Sequence, residues 1–182
     1  MSGATTGSVV EDAASSVVTG KLNVSDRDAG QAGTRVISSA SGTYGTFTVD
    51  ANGNWRFTLD NSRSSVQALS AGEKVTDCFV VYSIDGTACK TVTVTITGGN
   101  DVAVISGTAT GAVTENAATN YTTGKLTVSD ADAGEASLNA QSNTNGTYGR
   151  FTIDASGNWK YTLDNSRSQT QALTAGQVVT ES

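Results

Sequence analysis

Apolar and polar residues alternate with a period of two along several short segments of this chain. In residues 54–60, Trp55, Phe57 and Leu59 fall on one face and polar residues fall on the other. Residues 91–97 alternate throughout between threonine and valine or isoleucine. This period predicts β-strands with one buried face. Both tryptophans of the chain are in phase with the apolar face, so we predict that they are core residues rather than ligand platforms.

Turn signals separate these segments. Phe47 and Val49 alternate in the same way just before Asp-Ala-Asn-Gly at positions 50–53, a strong hairpin signal. Only residues 62–69 carry apolar residues three positions apart after an Asn/Ser start. We predict a single short helical turn there and strands elsewhere.

The chain contains an internal repeat. Shifting it by 104 residues aligns positions 1–78 with 105–182 without a gap, and 45 of the 78 pairs are identical. Short strands at this spacing predict an all-β chain of tandem, immunoglobulin-like antiparallel β-sandwiches. We expect residues 1–101 to form a complete repeat. Residues 102–182 are expected to form a second repeat without its last two strands, since Ser182 is equivalent to Cys78.

Composition excludes several classes of function. The 182 residues include no histidine and no proline, and the net charge of −6 disfavours binding to nucleic-acid backbones or anionic membranes. No run of eighteen apolar residues predicts a membrane span, and the start of the chain has no signal-peptide pattern. Without histidine there is no His-based triad or His-ligated zinc, and no carboxylate pair falls in a cleft pattern. We therefore expect no enzymatic activity.

An acidic motif follows a strand-like segment in each repeat. Asp26 and Asp28, with a glycine two positions later, recur as Asp130 and Asp132. Two carboxylates leaving a strand can point at one cation, and carbonyl oxygens can complete the oxygen shell that calcium prefers. The alternative is an ordinary solvated turn, for which Asp and Gly are equally suited.

The two cysteines lie on predicted strands on either side of a turn at Asp85-Gly86. Facing positions of a hairpin would bring Cys78 and Cys89 within disulfide distance. An even count favours a bridge over two free thiols, although the turn is not centred between them. Because the equivalent of Cys78 is Ser182, such a bridge would be peculiar to the first repeat.

Several motifs in order resemble the VCBS repeat, a family found in tandem in very large bacterial surface and biofilm adhesins, including RTX adhesins exported by type I secretion. The residues that carry the resemblance are 9–13 (VVEDA), 19–26 (TGKLNVSD), 42–47 (GTYGTF), 55–61 (WRFTLDN), 66–69 (VQAL) and 85–87 (DGT). The chain resembles cadherin repeats more distantly. That resemblance rests on Glu115-Asn116, on Asn100-Asp101 and on Asp130, Asp132 and Gly134.

The cadherin resemblance implies calcium at the junctions between repeats. It implies that Glu11 faces Asn100, Asp101, Asp130 and Asp132. The remaining ligands would serve junctions with further repeats: Asp26, Asp28 and Asp85 with a preceding one, and Glu115 with a following one. The segment 97–101 has one acidic residue. Cadherins also place an acidic residue after the segment equivalent to Asp60-Asn61-Ser62-Arg63, and this chain has no clear counterpart of it there. One or two ions per junction are therefore expected.

The resemblance also implies a function. It predicts a calcium-stiffened structural extender on a bacterial surface, outside the cell. The partners of such an extender are neighbouring repeats, and other domains of the parent protein would bind host or biofilm components. The alternative is an adhesion module whose loops bind a glycan or a protein. Tyr121, whose counterpart is Val17, is the one aromatic residue that we expect to be exposed.

Overall fold

The structure is a computed structural model that describes all 182 residues, and it separates into two compact units. The first unit comprises residues 1–101 and 131–133, and the second comprises residues 102–130 and 134–182. Almost all regular structure is β, which confirms the predicted fold class. The structure contains no helix with the length and apolar character needed to cross a membrane.

The first unit contains two sheets and one short helix. Its elements are β1 Ser2–Gly3, β2 Thr6–Val10, β3 Val17–Asn23, β4 Ile37–Ser41, β5 Gly45–Val49, β6 Asn54–Leu59, α1 Ser64–Gln67, β7 Lys74–Tyr82 and β8 Cys89–Thr97. One sheet has the strand order β1-β3-β6-β5-β4 and is antiparallel. The other has the order β2-β8-β7, in which β7 and β8 are antiparallel and β2 and β8 are parallel. The predicted antiparallel pairing therefore has one exception, the β2–β8 pair.

The predicted alternation of apolar and polar residues determines which side chains form the core of the first unit. Trp55, Phe57 and Leu59 on β6 are all at most 3% exposed, and Val92, Val94 and Ile96 on β8 are fully buried. They belong to one apolar cluster that both sheets supply. The predicted short helical turn is confirmed as α1, which buries Val66.

The predicted hairpin between β5 and β6 is confirmed. The Asp50 carboxylate accepts hydrogen bonds from the backbone N–H groups of Asn52 (2.9 Å) and Asn54 (2.8 Å), which close the turn. Gly53 follows with φ +80°, a conformation that favours glycine. The turn therefore depends on Asp50 and Gly53, and both residues recur in the second repeat as Asp154 and Gly157.

Each tryptophan packs against a glycine on the neighbouring strand. Trp55 lies opposite Gly20, where a Cβ atom would overlap the indole ring, and its Nε1 donates to the carbonyl oxygen of Ala4 at 2.8 Å. Trp159 lies opposite Gly124 in the same way, and its Nε1 donates to Thr108 at 2.6 Å. At 1% and 6% exposure, both tryptophans are core residues, as predicted.

The second unit has one sheet and one short helix. Its elements are β9 Val104–Gly107, β10 Tyr121–Ser129, β11 Gln141–Asn145, β12 Gly149–Ile153, β13 Asn158–Leu163 and α2 Ser168–Gln171. The strand order β11-β12-β13-β10-β9 repeats the first sheet of the first unit. We expected the last two strands to have no counterpart, and the structure has no counterpart of β2 either. The physical reason is that β2 pairs only with β8 in its sheet, so residues 110–114 have no strand to join.

The predicted disulfide does not fit the register of the β7–β8 hairpin. Cys78 lies opposite Thr93, and Cys89 lies opposite Tyr82, so the two thiols are not partners across the strands. Four residues of strand separate the facing positions by about 14 Å, about twice the Cα separation that a disulfide allows. Both cysteines are exposed and free, and the prediction of a bridge is therefore wrong.

The register predicts that both thiols react without prior reduction. Alkylation of the native chain under oxidising conditions should add two groups by intact mass, the same number as after reduction. A Cys78→Ser variant serves as the control and should add one group. A native chain that adds no group until it is reduced would contradict the β7–β8 register.

Candidate cation site

Glu11 is a buried carboxylate immediately after β2. It is 4% exposed, and its two oxygens accept hydrogen bonds from Gln67 Nε2 (2.9 Å) and from the Gly99 backbone N–H (3.2 Å). Burial raises its pKa, the Gly99 hydrogen bond opposes that shift, and the nearby carboxylates of Asp101, Asp12 and Asp132 raise it further. Negative charge is therefore concentrated around a carboxylate that water scarcely reaches.

Two other predicted ligands, Asp101 and Asp132, lie near Glu11 within the first unit. Residues 131–133 belong to the first unit, and Asp132 is 2% exposed. One of its carboxylate oxygens accepts a hydrogen bond from the backbone N–H of Asp101 at 2.9 Å. We call Glu11, Asp101 and Asp132 the acidic cluster. The structure contains no group of three or more acidic, histidine or cysteine side chains that could hold a metal ion, so the side chains of the acidic cluster do not form a metal site by themselves.

The first acidic motif is a local turn. Asp26 and Asp28 are both exposed, and the Asp26 carboxylate accepts a hydrogen bond from the Asp28 backbone N–H at 2.9 Å. This geometry matches the solvated-turn alternative for these two residues. It differs from the second motif, in which Asp132 is buried.

Asp85 closes the turn between β7 and β8. Its carboxylate accepts hydrogen bonds from the hydroxyl groups of Ser83 and Thr87, both at 2.5 Å, and from the Thr87 backbone N–H at 3.1 Å. These bonds lower the pKa of Asp85 to about 2. The carboxylate therefore already has partners within its own turn.

The remaining predicted ligands are dispersed. Asn100 is exposed, and its side-chain amide donates to the Asp101 carbonyl oxygen at 2.6 Å. Glu115 accepts a hydrogen bond from Gln171 at 3.0 Å, which repeats the Glu11–Gln67 contact in the second unit. Asp130 is half-buried in the second unit. The structure thus brings three of the nine predicted ligands together in the acidic cluster.

Sequence analysis missed another buried acid, Asp77 on β7. It is 6% exposed, and its carboxylate oxygens accept hydrogen bonds from the backbone N–H groups of Thr43 (2.9 Å) and Tyr44 (3.0 Å). Arg63 donates to the carbonyl oxygens of Gly42 (2.6 Å) and Thr43 (3.0 Å) in the same turn. Asp77 therefore anchors the turn of the first sheet to a strand of the second sheet.

Glu181 takes the place of Asp77 in the second unit. It accepts hydrogen bonds from the backbone N–H groups of Thr147 and Tyr148 and from the Tyr161 hydroxyl (2.5 Å). Burial raises the pKa of Glu181, but these hydrogen bonds outweigh burial and leave the pKa below its usual value. A signal was available in the sequence, because Asp77 is in phase with the apolar residues of β7 and its counterpart is also acidic.

Solved cadherin structures resemble this chain at low sequence identity. The extracellular domain of protocadherin GammaB4 matches with a TM-score of 0.50 and 16% identity over 92% of this chain. A protocadherin gammaB7 EC3-6 structure matches with a TM-score of 0.48 and 17% identity, also over 92%. The chain spans 26% and 40% of those two chains, respectively. The first match identifies the fold as cadherin-like and establishes nothing further.

Sequence comparison identifies the family. No curated protein matches the chain. The family described as the bacterial cadherin-like domain matches residues 1–98, which is more than half of the 182 residues. The protein therefore belongs to the bacterial cadherin-like domain family.

Proposed function

We propose that this chain is an extender segment of a large bacterial surface or biofilm adhesin of the VCBS type, located outside the cell and stiffened by calcium. Its first repeat spans residues 1–101, and its second begins at residue 102. The partners of the segment are other repeats of the same protein. Residues that contact a host or biofilm surface belong to other domains.

The observation that carries the proposal is that the same structural contacts occur in both repeats. The buried tryptophan with its glycine, the Asp50 turn and the Glu11–Gln67 contact all recur 104 residues later. By contrast, residues 31–41 and their counterparts 135–145 share 2 of 11 residues. A spacer requires the framework to be repeated and places few demands on this loop and strand.

The acidic cluster supports calcium as the stiffening ion. Carboxylates and backbone carbonyl oxygens are the hard ligands that calcium prefers. Asp101 and Asp132 place negative charge near the buried Glu11 carboxylate, whose pKa is raised. A bound cation would offset the repulsion between these carboxylates. These side chains are of the type that calcium binds, but they could not hold an ion alone, so backbone oxygens or water would have to supply the rest of the shell.

Calcium is expected to raise the unfolding midpoint of the first unit. A bound ion stabilises a folded protein by mass action, by about 2.7 kcal/mol at a hundredfold excess over its dissociation constant. Thermal unfolding in calcium should be compared with unfolding in chelator, and scattering should report whether the chain becomes more extended. Asp132→Asn should abolish the calcium-dependent shift.

Asp28→Asn is the matched control, because Asp28 is an exposed acid in the equivalent motif. It should leave the shift intact. If neither the thermal unfolding midpoint nor the chain dimension measured by scattering changes with calcium, the calcium proposal is wrong. If Asp28→Asn removes the calcium-dependent shift and Asp132→Asn preserves it, the ion binds the first acidic motif and not the acidic cluster.

The binding-module alternative has one observation in its favour. Tyr121 is 46% exposed and could contact a ligand, but it is not the one exposed aromatic residue that we expected, because Tyr82 is also 46% exposed. However, the Lys160 ammonium lies 4.2 Å from the centroid of its ring, so a cation already occupies one face. The extender function is therefore the better supported of the two.

A further inference from the structure

Three neighbouring strands in the five-stranded sheet of each unit contain basic and no acidic residues. Strands β3, β6 and β5 contain Lys21 and Arg56, and strands β10, β13 and β12 contain Lys125, Arg150 and Lys160. These are the only charged residues in the six strands, although the whole chain has 17 acidic and 11 basic residues. All five are exposed and alternate with inward-facing residues, so they lie on the outer face of their sheet. We call the outer surfaces of these strands the basic faces.

The strand register of the first unit surrounds one base with hydrogen-bonding side chains. Arg56 on β6 lies opposite Thr19 on β3 and opposite Thr48 on β5. Lys21 lies opposite Asn54, two positions from Arg56, so the two bases are diagonal neighbours within about 8 Å. The face therefore presents two positive charges among hydroxyl and amide groups.

The second unit repeats this arrangement. Lys160 on β13 lies opposite Thr123 on β10 and opposite Thr152 on β12. Lys125 occupies the position of Lys21, and Arg150 adds a second diagonal neighbour on β12. The same grouping of a central base, two threonines and a diagonal lysine thus occurs on both basic faces.

No base on these faces forms an ion pair within the chain. The structure contains two ion pairs, and both lie elsewhere, between Arg63 and Asp60 and between Arg167 and Asp164. Arg56 donates a hydrogen bond through Nε to the Thr58 hydroxyl at 3.3 Å, which leaves its two terminal nitrogens for another partner. An acidic neighbour across the strands would have stabilised either sheet. The positive charge therefore remains available to a ligand.

The acid at the end of each face is already held within its own turn. Asp50 accepts a hydrogen bond from Asn54 Nδ2 at 2.7 Å as well as two from backbone N–H groups. Hydrogen bonds from Asn54 are the main cause that lowers the pKa of Asp50, and attraction to Lys21 adds to them. Asp154 is held by Asn158 in the same way. Neither carboxylate forms an ion pair with a base of the face.

We propose that the basic faces bind an acidic polysaccharide whose sugars carry carboxylate groups. The guanidinium and ammonium groups pair with the carboxylates, and the threonine and asparagine side chains beside them hydrogen-bond sugar hydroxyl groups. The binding surface is a sheet face, and recognition depends on charge rather than on an aromatic platform. This activity goes beyond spacing, and it depends neither on calcium nor on the extender function. Attachment to a surface remains with other domains.

Other polyanions fit these faces less well. Single-stranded nucleic acids stack their bases on aromatic side chains, and the outer face of β3, β6 and β5 presents none. Duplex nucleic acids and anionic membranes are bound through larger clusters of lysine and arginine than the two or three on each face. A polymer with both carboxylates and hydroxyl groups matches the mixture of bases, threonines and asparagines.

The test uses the full 182-residue chain and an oligomer of galacturonic acid, with the methyl-esterified oligomer as the uncharged control. Chelator is present throughout, so that calcium neither cross-links the oligomer nor occupies the acidic cluster. Titration calorimetry should detect binding of the acidic oligomer and none of the ester. The affinity should fall at least tenfold when the ionic strength is raised from about 0.05 M to about 0.5 M, because the contacts are exposed to solvent.

Two double variants with the same change in net charge locate the binding surface. Arg56→Gln with Lys160→Gln removes the central base of both faces and should weaken binding at least tenfold. Lys74→Gln with Lys90→Gln removes two exposed bases outside the faces and should weaken it less than twofold. All four residues are exposed, so both variants should keep the thermal unfolding midpoint of the parent chain.

Four results would overturn the proposal. They are no binding of the acidic oligomer, equal binding of its methyl ester, equal weakening by the two double variants, and binding to single-stranded DNA or to anionic phospholipid vesicles that is as tight as binding to the oligomer.

Discussion

Amide hydrogens in the second unit should exchange at least a hundredfold faster than those at equivalent positions of the first unit. Five core side chains from β7 and β8 are buried in the first unit only. Burying each contributes about 1.5–3 kcal/mol, which totals on the order of 10 kcal/mol. This total is an upper bound, because unfolded chains already bury some apolar surface. Even about 3 kcal/mol corresponds to more than a hundredfold change in the open population.

The measurement compares residues 45–59 with residues 149–163 in a dilute solution of the chain. A Val94→Asp variant supplies the control, since it places a charge in the core of the first unit only. That variant should accelerate exchange in residues 45–59 and leave residues 149–163 unchanged. Equal protection of the two segments in the parent chain would show that the β2-β8-β7 sheet does not account for the stability of the first unit.

Replacing Asp77 by alanine should destabilise the first unit by about 3 kcal/mol. Its carboxylate accepts hydrogen bonds from two backbone N–H groups, at 2.9 and 3.0 Å, in a position that is 6% exposed. Hydrogen bonds to charged groups are worth about 1.5–3 kcal/mol each, and buried donors left without an acceptor lose that amount. Urea unfolding followed by the fluorescence of Trp55 would measure the change, with Trp159→Phe removing the other indole signal.

Glu73→Ala is the matched control for this prediction. Glu73 is an exposed acid just before β7 and accepts one hydrogen bond of 3.3 Å from the Ser70 backbone N–H. We expect its removal to change stability by no more than about 0.5 kcal/mol. A loss at Asp77 no greater than the loss at Glu73 would show that the turn does not depend on the buried carboxylate.

The sequence was sufficient to predict the strands that have a strong period. Trp55, Phe57 and Leu59 are buried because their spacing matches the alternation of a strand, and this local rule needs no tertiary information. The hairpin at Asp50 was predictable for the same reason, since its hydrogen bonds join residues within four positions of one another. The repeat then extended each local prediction to a second place in the chain.

Long-range register could not be predicted in the same way. Cys78 and Cys89 lie on the correct pair of strands, but the position of the turn decides which residues face each other, and a shift of a few residues separates the thiols. The parallel β2–β8 pair joins positions almost ninety residues apart, and no local pattern reports it. Long-range packing also buries Asp132 and leaves Asp28 exposed, although the two motifs are nearly identical.

The parallel pairing of β2 and β8 determines how the first unit carries mechanical load. β2 lies near the start of this unit and β8 near its end, and the two strands are neighbours from Thr6–Thr93 to Val10–Thr97. Tension applied at the two ends pulls these strands in opposite directions along their own axes. The hydrogen bonds between them are then sheared together rather than opened one after another. A string of such units under tension would therefore be held together by the β2–β8 pair of each complete unit.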